Sequence, residues 1–290
     1  MGYASLQDVT ARFFQKAQRI ARLHRALGAE GSWETLEGEF GRGCPVLLYH
    51  RVGPFRPGTY RSLTIPCKRF EQQIQWLVKH GYAGIRPSEW LGWLSNGEAL
   101  PQKSVMLTFD DAYEDLAEYA FPILLRHGFS CCVFVVTRRV GGTNTWDEIH
   151  GCGTLRLLNA DQIRHWARNG IEFGAHSQTH ADLTRLSREQ LADEVVGSKS
   201  DLENLLGTPV TSFAYPYGFY NDAVRELMQA HFGLAFTSID GINFSRSDQH
   251  LLRRIYIGPN DPLIEFSLSI RWGGKRAIRG LCVPGSFCGS

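Results

Sequence analysis

SVMLTFDD at residues 104–111, AFPILLRHG at 120–128 and CCVFVV at 131–136 form the stretch that decides the fold of this chain. The first and third segments contain short apolar runs with β-branched residues, which are typical of buried strands. The middle segment has a helical composition and ends on a glycine, a common helix stop. A strand, a helix and a strand in this order indicate a parallel pair joined by a crossover helix.

The same alternation continues on both sides of this stretch, from residue 45 to about residue 272. Upstream lie the strand-like PVLLYH at 45–50 and the helical FEQQIQWLVKHG at 70–81. Downstream lie further strands and a helix expected over 187–207, and no Pro-, Gly- or Ser-rich linker interrupts them. The pattern predicts an α/β protein, a single distorted (β/α) barrel of about seven to eight strands with an extra N-terminal helix.

The chain divides by pattern into three regions, which we place at 1–43, 44–272 and 273–290. We expect a basic amphipathic helix and lead-in, then the barrel, then a C-terminal tail. The basic face of the helix consists of Arg12, Lys16, Arg19, Arg22 and Arg25. One interpretation is a helix that caps the barrel with a solvated basic face. The other is a helix that lies on an anionic membrane surface.

Composition and charge restrict the functions that the chain can have. It has 290 residues, of which 43% are hydrophobic, and a formal net charge of +2. A nearly balanced charge argues against nucleic-acid binding as the main task. No apolar run of about 18 residues is present, and the opening MGYASLQDVTARFF lacks the layout of a secretory signal. We therefore expect a cytoplasmic protein, peripheral to the inner membrane if the basic helix contacts lipid.

The strongest local signal is TFDD, at Thr108–Asp111, where two adjacent carboxylates follow an apolar strand. Near a divalent metal, one carboxylate can bind the ion while the other stays free to accept a proton. The alternative is a helix cap, because Asp is favoured at that position.

A second signal is HSQTH, at residues 176–180, directly after the strand-like IEFGA. Two neutral imidazoles four residues apart can reach one metal ion, although two unrelated polar histidines would give the same spacing. In a barrel, catalytic groups come from the carboxyl ends of the strands. The residues that follow strand-like runs are His50, Asp110, Asp111, His176, His180 and the segment 215–218, and Arg254 lies in the last strand-like run.

TFDD, HSQTH and AYPYG, in this order and at these intervals, resemble the motifs of the polysaccharide deacetylase family (NodB homology, carbohydrate esterase 4). LLYHRV and LRRI resemble its bacterial branch with permuted motif order, over roughly residues 44–258. The resemblance implies a metal-dependent hydrolase that removes N-acetyl groups from a sugar, oligosaccharide or polysaccharide precursor. It also implies one divalent metal, most often zinc, with Co2+, Ni2+ or Mn2+ as alternatives.

The resemblance also implies roles for individual residues. The family's metal triad falls on Asp111, His176 and His180, and its catalytic base falls on Asp110. The tyrosine of the family's RxPY motif, whose backbone N–H holds the oxyanion, corresponds to Tyr217.

Three positions depart from the family pattern. Ala214 replaces the arginine of RxPY, so we expect Arg254 to orient Asp110 instead. The terminal LLRRI lacks the histidine that usually acts as the general acid in this family. In the permuted branch the N-terminal histidine, here His50, takes that role. A rim histidine bonded to backbone is the alternative for His50. Ala112 stands where the family usually has glycine.

Substrate contacts are expected from Tyr215, Pro216 and Trp146. Trp146 lies in the loop segment TNTWDE, where it could stack on a sugar ring or pack into a loop core. Two other functions stay open: a metal-dependent hydrolase of a non-sugar amide or cyclic imide, and an inactive glycan-binding relative. The presence of a base, a complete triad and a candidate acid disfavours the inactive relative.

Overall fold

The computed structural model describes residues 43–150 and 152–274. The expected N-terminal helix and its membrane contact lie outside the described residues, as does the tail after residue 274. The division at 1–43, 44–272 and 273–290 therefore stays a prediction. No helix within the described ranges combines the length and the apolar character that crossing a membrane requires.

Eleven strands occur in the described residues. They are β1 (Cys44–Tyr49), β2 (Arg51–Val52), β3 (Thr64–Ile65), β4 (Ala83–Ile85), β5 (Ser104–Phe109), β6 (Cys132–Val135), β7 (Glu172–Ala175), β8 (Ser212–Ala214), β9 (Leu234–Phe236), β10 (Ile242–Asn243) and β11 (Ile255–Tyr256).

Helices connect most of these strands. The α-helices of the described residues are α1 (Cys67–Lys79), α2 (Pro87–Asn96), α3 (Phe121–Arg126), α4 (Ala160–Arg168), α5 (Arg188–Ala192), α6 (Ser198–Leu206), α7 (Asp222–His231) and α8 (Leu263–Trp272). Two π-helical turns lie at Leu116–Ala120 and Asp193–Gly197. Short 3₁₀ turns lie at Arg61–Leu63, Thr137–Arg139, Thr145–His150, Leu183–Arg185 and Pro216–Gly218.

The main sheet is mostly parallel and curls into a half-barrel with helices around it. Its strands follow the order β10-β1-β5-β6-β7-β8-β9, with β4 also paired to β5 and β11 to β1. Only β10 runs antiparallel to its neighbour, while β2 and β3 form a separate small sheet. This architecture confirms the predicted (β/α) barrel class.

Alternating side chains of the strands fill two cores on opposite faces of the sheet. In β5, Leu107 belongs to the larger core, and its neighbour Met106 belongs to the smaller one. Phe134 of β6 and Phe236 of β9 meet in the smaller core with ring centroids 5.4 Å apart, although their strands are not adjacent. The smaller core therefore lies inside the curl. Burial on both faces explains why these strands are continuously apolar in sequence.

The helix predicted over 187–207 is interrupted in the structure. It consists of α5, the π-helical turn Asp193–Gly197 and α6, and it ends at Gly207 with φ of 71°. A Cβ at Gly197 would lie 2.5 Å from Nε2 of Gln178, so glycine allows the helix to approach the loop after β7. Single π turns are frequent at functional sites.

Candidate active site

The carboxyl ends of four parallel strands place most of the expected residues at one rim of the half-barrel. His50 follows β1, Asp110 follows β5, and His176 follows β7. Tyr215 follows β8, where the 3₁₀ turn Pro216–Gly218 begins. The structure therefore brings these motifs together from positions as much as 165 residues apart in sequence, His50 to Tyr215.

Asp111, His176 and His180 form a compact, buried cluster. Asp111 Oδ1 lies 3.6 Å from Nε2 of His176 and 3.4 Å from Nε2 of His180. One ligand atom from each residue lies within 4.8 Å of the other two. Two imidazoles and a carboxylate in this arrangement suit a divalent cation with further positions open.

The orientation of His176 is fixed by the backbone of the neighbouring strand. Its Nδ1 lies 2.7 Å from the carbonyl oxygen of Ala214, so Nδ1 carries the proton and donates it. The lone pair of Nε2 then faces Asp111. A backbone carbonyl that fixes the tautomer in this way is the usual support of a metal-binding histidine.

His180 is held by two aromatic rings. Trp146 stacks on it, with ring centroids 4.5 Å apart and planes 21° apart. Tyr217 meets it edge-on, also at 4.5 Å, with planes 72° apart. Trp146 therefore lies at the site rather than in a separate loop core, and it covers one face of the second histidine.

The electrostatics of the cluster fit a bound cation. Burial, together with the charges of Asp110 and Asp147, raises the pKa of Asp111 well above its usual value. Burial lowers the pKa of His176 and of His180, so both imidazoles favour the neutral form that binds metals. Among the described residues, Asp111 Oδ1 is buried without a hydrogen-bond partner. A divalent cation would satisfy this oxygen and stabilise the ionised carboxylate.

Asp110 forms a buried bidentate ion pair with Arg254. Nη1 of Arg254 donates to Oδ1 of Asp110 at 2.6 Å, and Nη2 donates to Oδ2 at 2.8 Å. The arginine is itself held by the carbonyl oxygen of Thr237, 2.8 Å from Nε. Burial alone would raise the pKa of Asp110, but Arg254 and His176 lower it to about 2. The contact expected of Arg254 is present, and it fixes both the charge and the plane of the carboxylate.

His50 lies close enough to the ion pair for their charges to interact. Burial lowers its pKa to about 4, with Asp110 acting against this shift and Arg254 adding to it. Its Nδ1 is buried and has no hydrogen-bond partner among the described residues. Among the described residues, His50 therefore forms no hydrogen bond to backbone through Nδ1, in contrast to the alternative of a backbone-bonded rim histidine.

The AYPYG segment divides between the surface of the site and the core. Tyr217 is 43% exposed and touches His180. Tyr215 is completely buried, and its hydroxyl donates to the carbonyl oxygen of His250 at 2.7 Å. Pro216 is buried as well. The side chain of Tyr215 therefore has no surface to offer a substrate, in contrast to our expectation from the sequence.

The loops of the site contain strained backbone. The non-glycine residues of the described chain with positive φ are Asp111 (73°), Ala112 (58°), Ser177 (63°), His180 (65°) and Tyr217 (59°). Every one of them is a candidate site residue or lies in the same loop as one. Strain of this kind persists only where the surrounding structure enforces it, and it concentrates at functional sites.

Comparison with known proteins agrees with this geometry. The family model described as "Polysaccharide deacetylase" matches residues 97–234, which include Asp110, Asp111, His176 and His180. Residues 97–234 of this chain match a polysaccharide deacetylase domain. The resemblance indicated by its motifs is thereby confirmed.

Individual deacetylases are similar to this chain over most of its length. The Streptococcus pyogenes deacetylase PplD in complex with acetate has a TM-score of 0.69 at 28% identity, covering 79% of this chain and 98% of that one. YxkH of Bacillus subtilis, which is named for the same family, is 26% identical over 216 residues, 74% of this chain and 71% of that protein. The poly-beta-1,6-N-acetyl-D-glucosamine N-deacetylase of Staphylococcus epidermidis is 23% identical over 253 residues, 80% of this chain and 85% of that protein.

The deacetylase domain also contains a buried polar cluster that the sequence analysis did not assign. Asn144 Nδ2 donates to Oδ2 of Asp147 at 2.6 Å and lies 3.2 Å from the hydroxyl of Tyr113. The charge of Asp147 and a hydrogen bond from Tyr113 both influence the pKa of Asp111. Tyr113 lies two residues after Asp111, and Asp147 directly follows Trp146. This proximity to residues already singled out is the sequence signal that could have identified the cluster.

Proposed function

We propose that this chain is a metal-dependent carbohydrate N-deacetylase, a hydrolase of non-peptide C–N bonds that releases acetate from N-acetylglucosamine units of a glycan. The observation that carries the proposal is the triad of Asp111, His176 and His180 beside an ionised Asp110 at one rim of a deacetylase domain. The substrate class is supported by the Staphylococcus epidermidis relative, which is named for poly-beta-1,6-N-acetyl-D-glucosamine.

The proposed cofactor is one zinc ion, held by Asp111, His176 and His180. Two imidazole nitrogens and one carboxylate oxygen are a common ligand set of catalytic zinc sites. Co2+, Ni2+ or Mn2+ would accept the same donors. When bound, such an ion polarises a carbonyl oxygen and acidifies water. The remaining chemistry belongs to side chains of this chain.

Asp110 is the proposed proton acceptor. Arg254 keeps it ionised and holds its plane, while each carboxylate oxygen retains a second lone pair for a water proton. The Asp110 carboxylate thus accepts a proton from the attacking water without having to rotate. Arg254 acts on this step through Asp110, as a positioning residue.

His50 is the proposed proton donor to the leaving nitrogen. Since its pKa is lowered to about 4, its imidazole is neutral near pH 7 and must first acquire a proton. We propose that the proton taken up by Asp110 passes to His50, whose charge interacts with that of Asp110. The proton taken from water then reaches the amine, and no external acid is needed.

Tyr217 and Trp146 are proposed to meet the sugar. The positive φ of Tyr217 turns the backbone sharply at the rim, where its N–H is our candidate donor to the oxyanion. Its exposed ring and the ring of Trp146 flank His180, and aromatic faces of this kind suit the apolar faces of pyranose rings. Pro216 supports this turn from within the protein.

The test is acetate release from N-acetylglucosamine oligomers of increasing length, with chelation and return of single metals. We expect release that depends on length, stops after chelation and returns with zinc. Release from a simple non-sugar amide or a cyclic imide but from none of the glycans would replace the proposed substrate class. Binding of the oligomers without any release under every metal would indicate an inactive glycan-binding protein instead.

A further inference from the structure

The loop between the two candidate metal-binding histidines is held by a carboxylate from a distant helix. Glu194 lies in the π-helical turn Asp193–Gly197, is 9% exposed, and follows His180 by 14 residues. Its Oε2 accepts the backbone N–H groups of Gln178 at 2.8 Å and of Thr179 at 2.9 Å. Its Oε1 accepts the Thr179 hydroxyl at 2.6 Å. One buried carboxylate thus binds three donors within two consecutive loop residues.

This loop needs support because its backbone is strained at both ends. Ser177 and His180 have φ values of 63° and 65°, which non-glycine residues adopt only where their surroundings enforce it. The Oγ of Ser177 accepts the N–H of His180 at 3.0 Å and closes the loop on itself. Glu194 binds the two residues between these strained positions. It therefore acts on the part of the loop that sets the separation of the histidines.

The helix geometry that brings Glu194 to the loop depends on two further features. The π-helical turn inserts an additional residue into the helix and so redirects its side chains. Gly197 leaves room for the side chain of Gln178, which a Cβ would approach to 2.5 Å. The Nε2 of Gln178 in turn donates to Asp201 at 2.9 Å. The helix and the loop are thus fitted to each other over several contacts.

We propose that Glu194 is a positioning residue that preorganises His176 and His180 for the metal ion. This inference rests on the metal site of the proposed function and deepens it. Hydrogen bonds to an ionised carboxylate are stronger than neutral ones, so a single residue can hold two amides and a hydroxyl against backbone strain. Loss of groups that support metal ligands typically weakens metal binding by about 10- to 100-fold.

The experiment is a zinc competition titration of the metal-free full chain against a chromophoric chelator. We expect Glu194→Ala to raise the Kd for zinc by about 10- to 100-fold, with kcat largely recovered at saturating zinc. Glu194→Gln keeps an oxygen for the two amides and should restore most of the affinity. Glu203→Ala is the matched control. Glu203 lies in α6, directly after the π-helical turn, and its carboxylate also accepts a backbone N–H, that of Val210 at 2.9 Å.

A folded Glu194→Ala chain with the wild-type zinc Kd would overturn the inference, as would an equal loss in Glu203→Ala. If Glu194→Ala does not fold, Thr179→Val decides instead, since it removes only the hydroxyl bonded to Oε1. A raised Kd in that variant supports the inference and an unchanged Kd refutes it.

A wild-type chain that binds no zinc or other divalent ion would instead overturn the proposed metal site. Anchoring of the loop is then judged by hydrogen exchange at the amides of Gln178 and Thr179 in the metal-free chain. We expect Glu194→Ala to accelerate exchange at these two amides relative to Glu203→Ala. Equal exchange in the two variants would refute the anchoring role.

Discussion

Replacing Arg254 with methionine should destabilise the protein mainly by leaving the Asp110 carboxylate buried without a partner. Methionine keeps most of the apolar volume but removes both hydrogen bonds to Asp110 and the bond to the carbonyl of Thr237. Arg254 is 1% exposed and Asp110 is 4% exposed, so water cannot replace the lost donors. Removing one partner of a buried ion pair typically lowers the free energy of unfolding by about 3–5 kcal/mol.

The structure also predicts that this cost depends on the charge of Asp110. Asp110→Asn alone leaves the guanidinium poorly paired, whereas the double variant leaves neither charge in the core. We therefore expect the double variant to lose about 2–3 kcal/mol less than the sum of the single losses, near the top of the range of about 0.5–3 kcal/mol for coupling between contacting groups. Arg225→Met is the control, because Arg225 pairs with Asp248 at an exposed position and should cost less than about 1 kcal/mol.

The assay is urea denaturation at pH 7 of the four chains of this double-mutant cycle, with chelator present so that metal binding does not contribute. The slope of the free energy against urea should stay the same in all four, so that the midpoints report stability alone. Additive losses from Arg254→Met and Asp110→Asn would refute the reasoning, because they would mean that the ion pair carries no interaction of its own.

Other predictions concern the proposed chemistry. His180→Ala should lose stoichiometric zinc by equilibrium dialysis while keeping its circular dichroism spectrum, and full zinc occupancy would contradict the ligand assignment. Asp110→Asn should keep zinc but lose at least about 100-fold in kcat, the scale of general-base effects, and near-normal turnover would remove Asp110 from the mechanism. His50→Gln should lose most N-acetyl hydrolysis but much less hydrolysis of an activated acetate ester, whose leaving group needs no proton. Equal losses on both substrates would indicate a positioning role. In the metal-free chain, NMR should show His50 neutral down to about pH 5, because its pKa is lowered from 6.5 to about 4. The unfolded chain then binds this proton first as the pH falls, so stability should decrease between pH 6.5 and 4 by up to about 3 kcal/mol (2.5 units at 1.36 kcal/mol each). His50→Gln should make that decrease smaller in a pH series of urea midpoints, while the lowered pKa values of His176 and His180 account for the rest. An unchanged pH dependence would contradict the low pKa of His50.

The alternation of the strands and helices could be predicted because a sheet covered on both faces leaves continuous apolar runs in the sequence. The stretch 104–136 contains β5, α3 and β6 much as its pattern indicates. The π-helical turn at Asp193–Gly197 could not be predicted, since its residues look like those of an ordinary amphipathic helix. In the folded chain this turn packs so near the loop after β7 that a Cβ at Gly197 would lie 2.5 Å from Nε2 of Gln178, and this proximity is not visible in the sequence.

The residues of the candidate site also differ in how well the sequence predicted their positions. Asp111, His176 and His180 belong to short local motifs, so their proximity follows from the rule that parallel strands end at one rim. Arg254 was expected from the absence of an arginine at Ala214, and the structure places it on Asp110. Tyr215 was misplaced because its motif gives the turn but not the direction of the side chain, which enters the core.

The positive φ angles around the rim limit how small a functional version of this protein can be. Each such residue costs on the order of 1–3 kcal/mol, so Asp111, Ala112, Ser177, His180 and Tyr217 together oppose folding by at least about 5 kcal/mol. That sum is comparable to the whole stability of a typical domain. A peptide or minimal scaffold carrying only TFDD and HSQTH would relax these angles and separate the ligands. Transplanting the site into another protein therefore requires a host stable enough to absorb the strain, and the helix that carries Glu194 must move with the motifs.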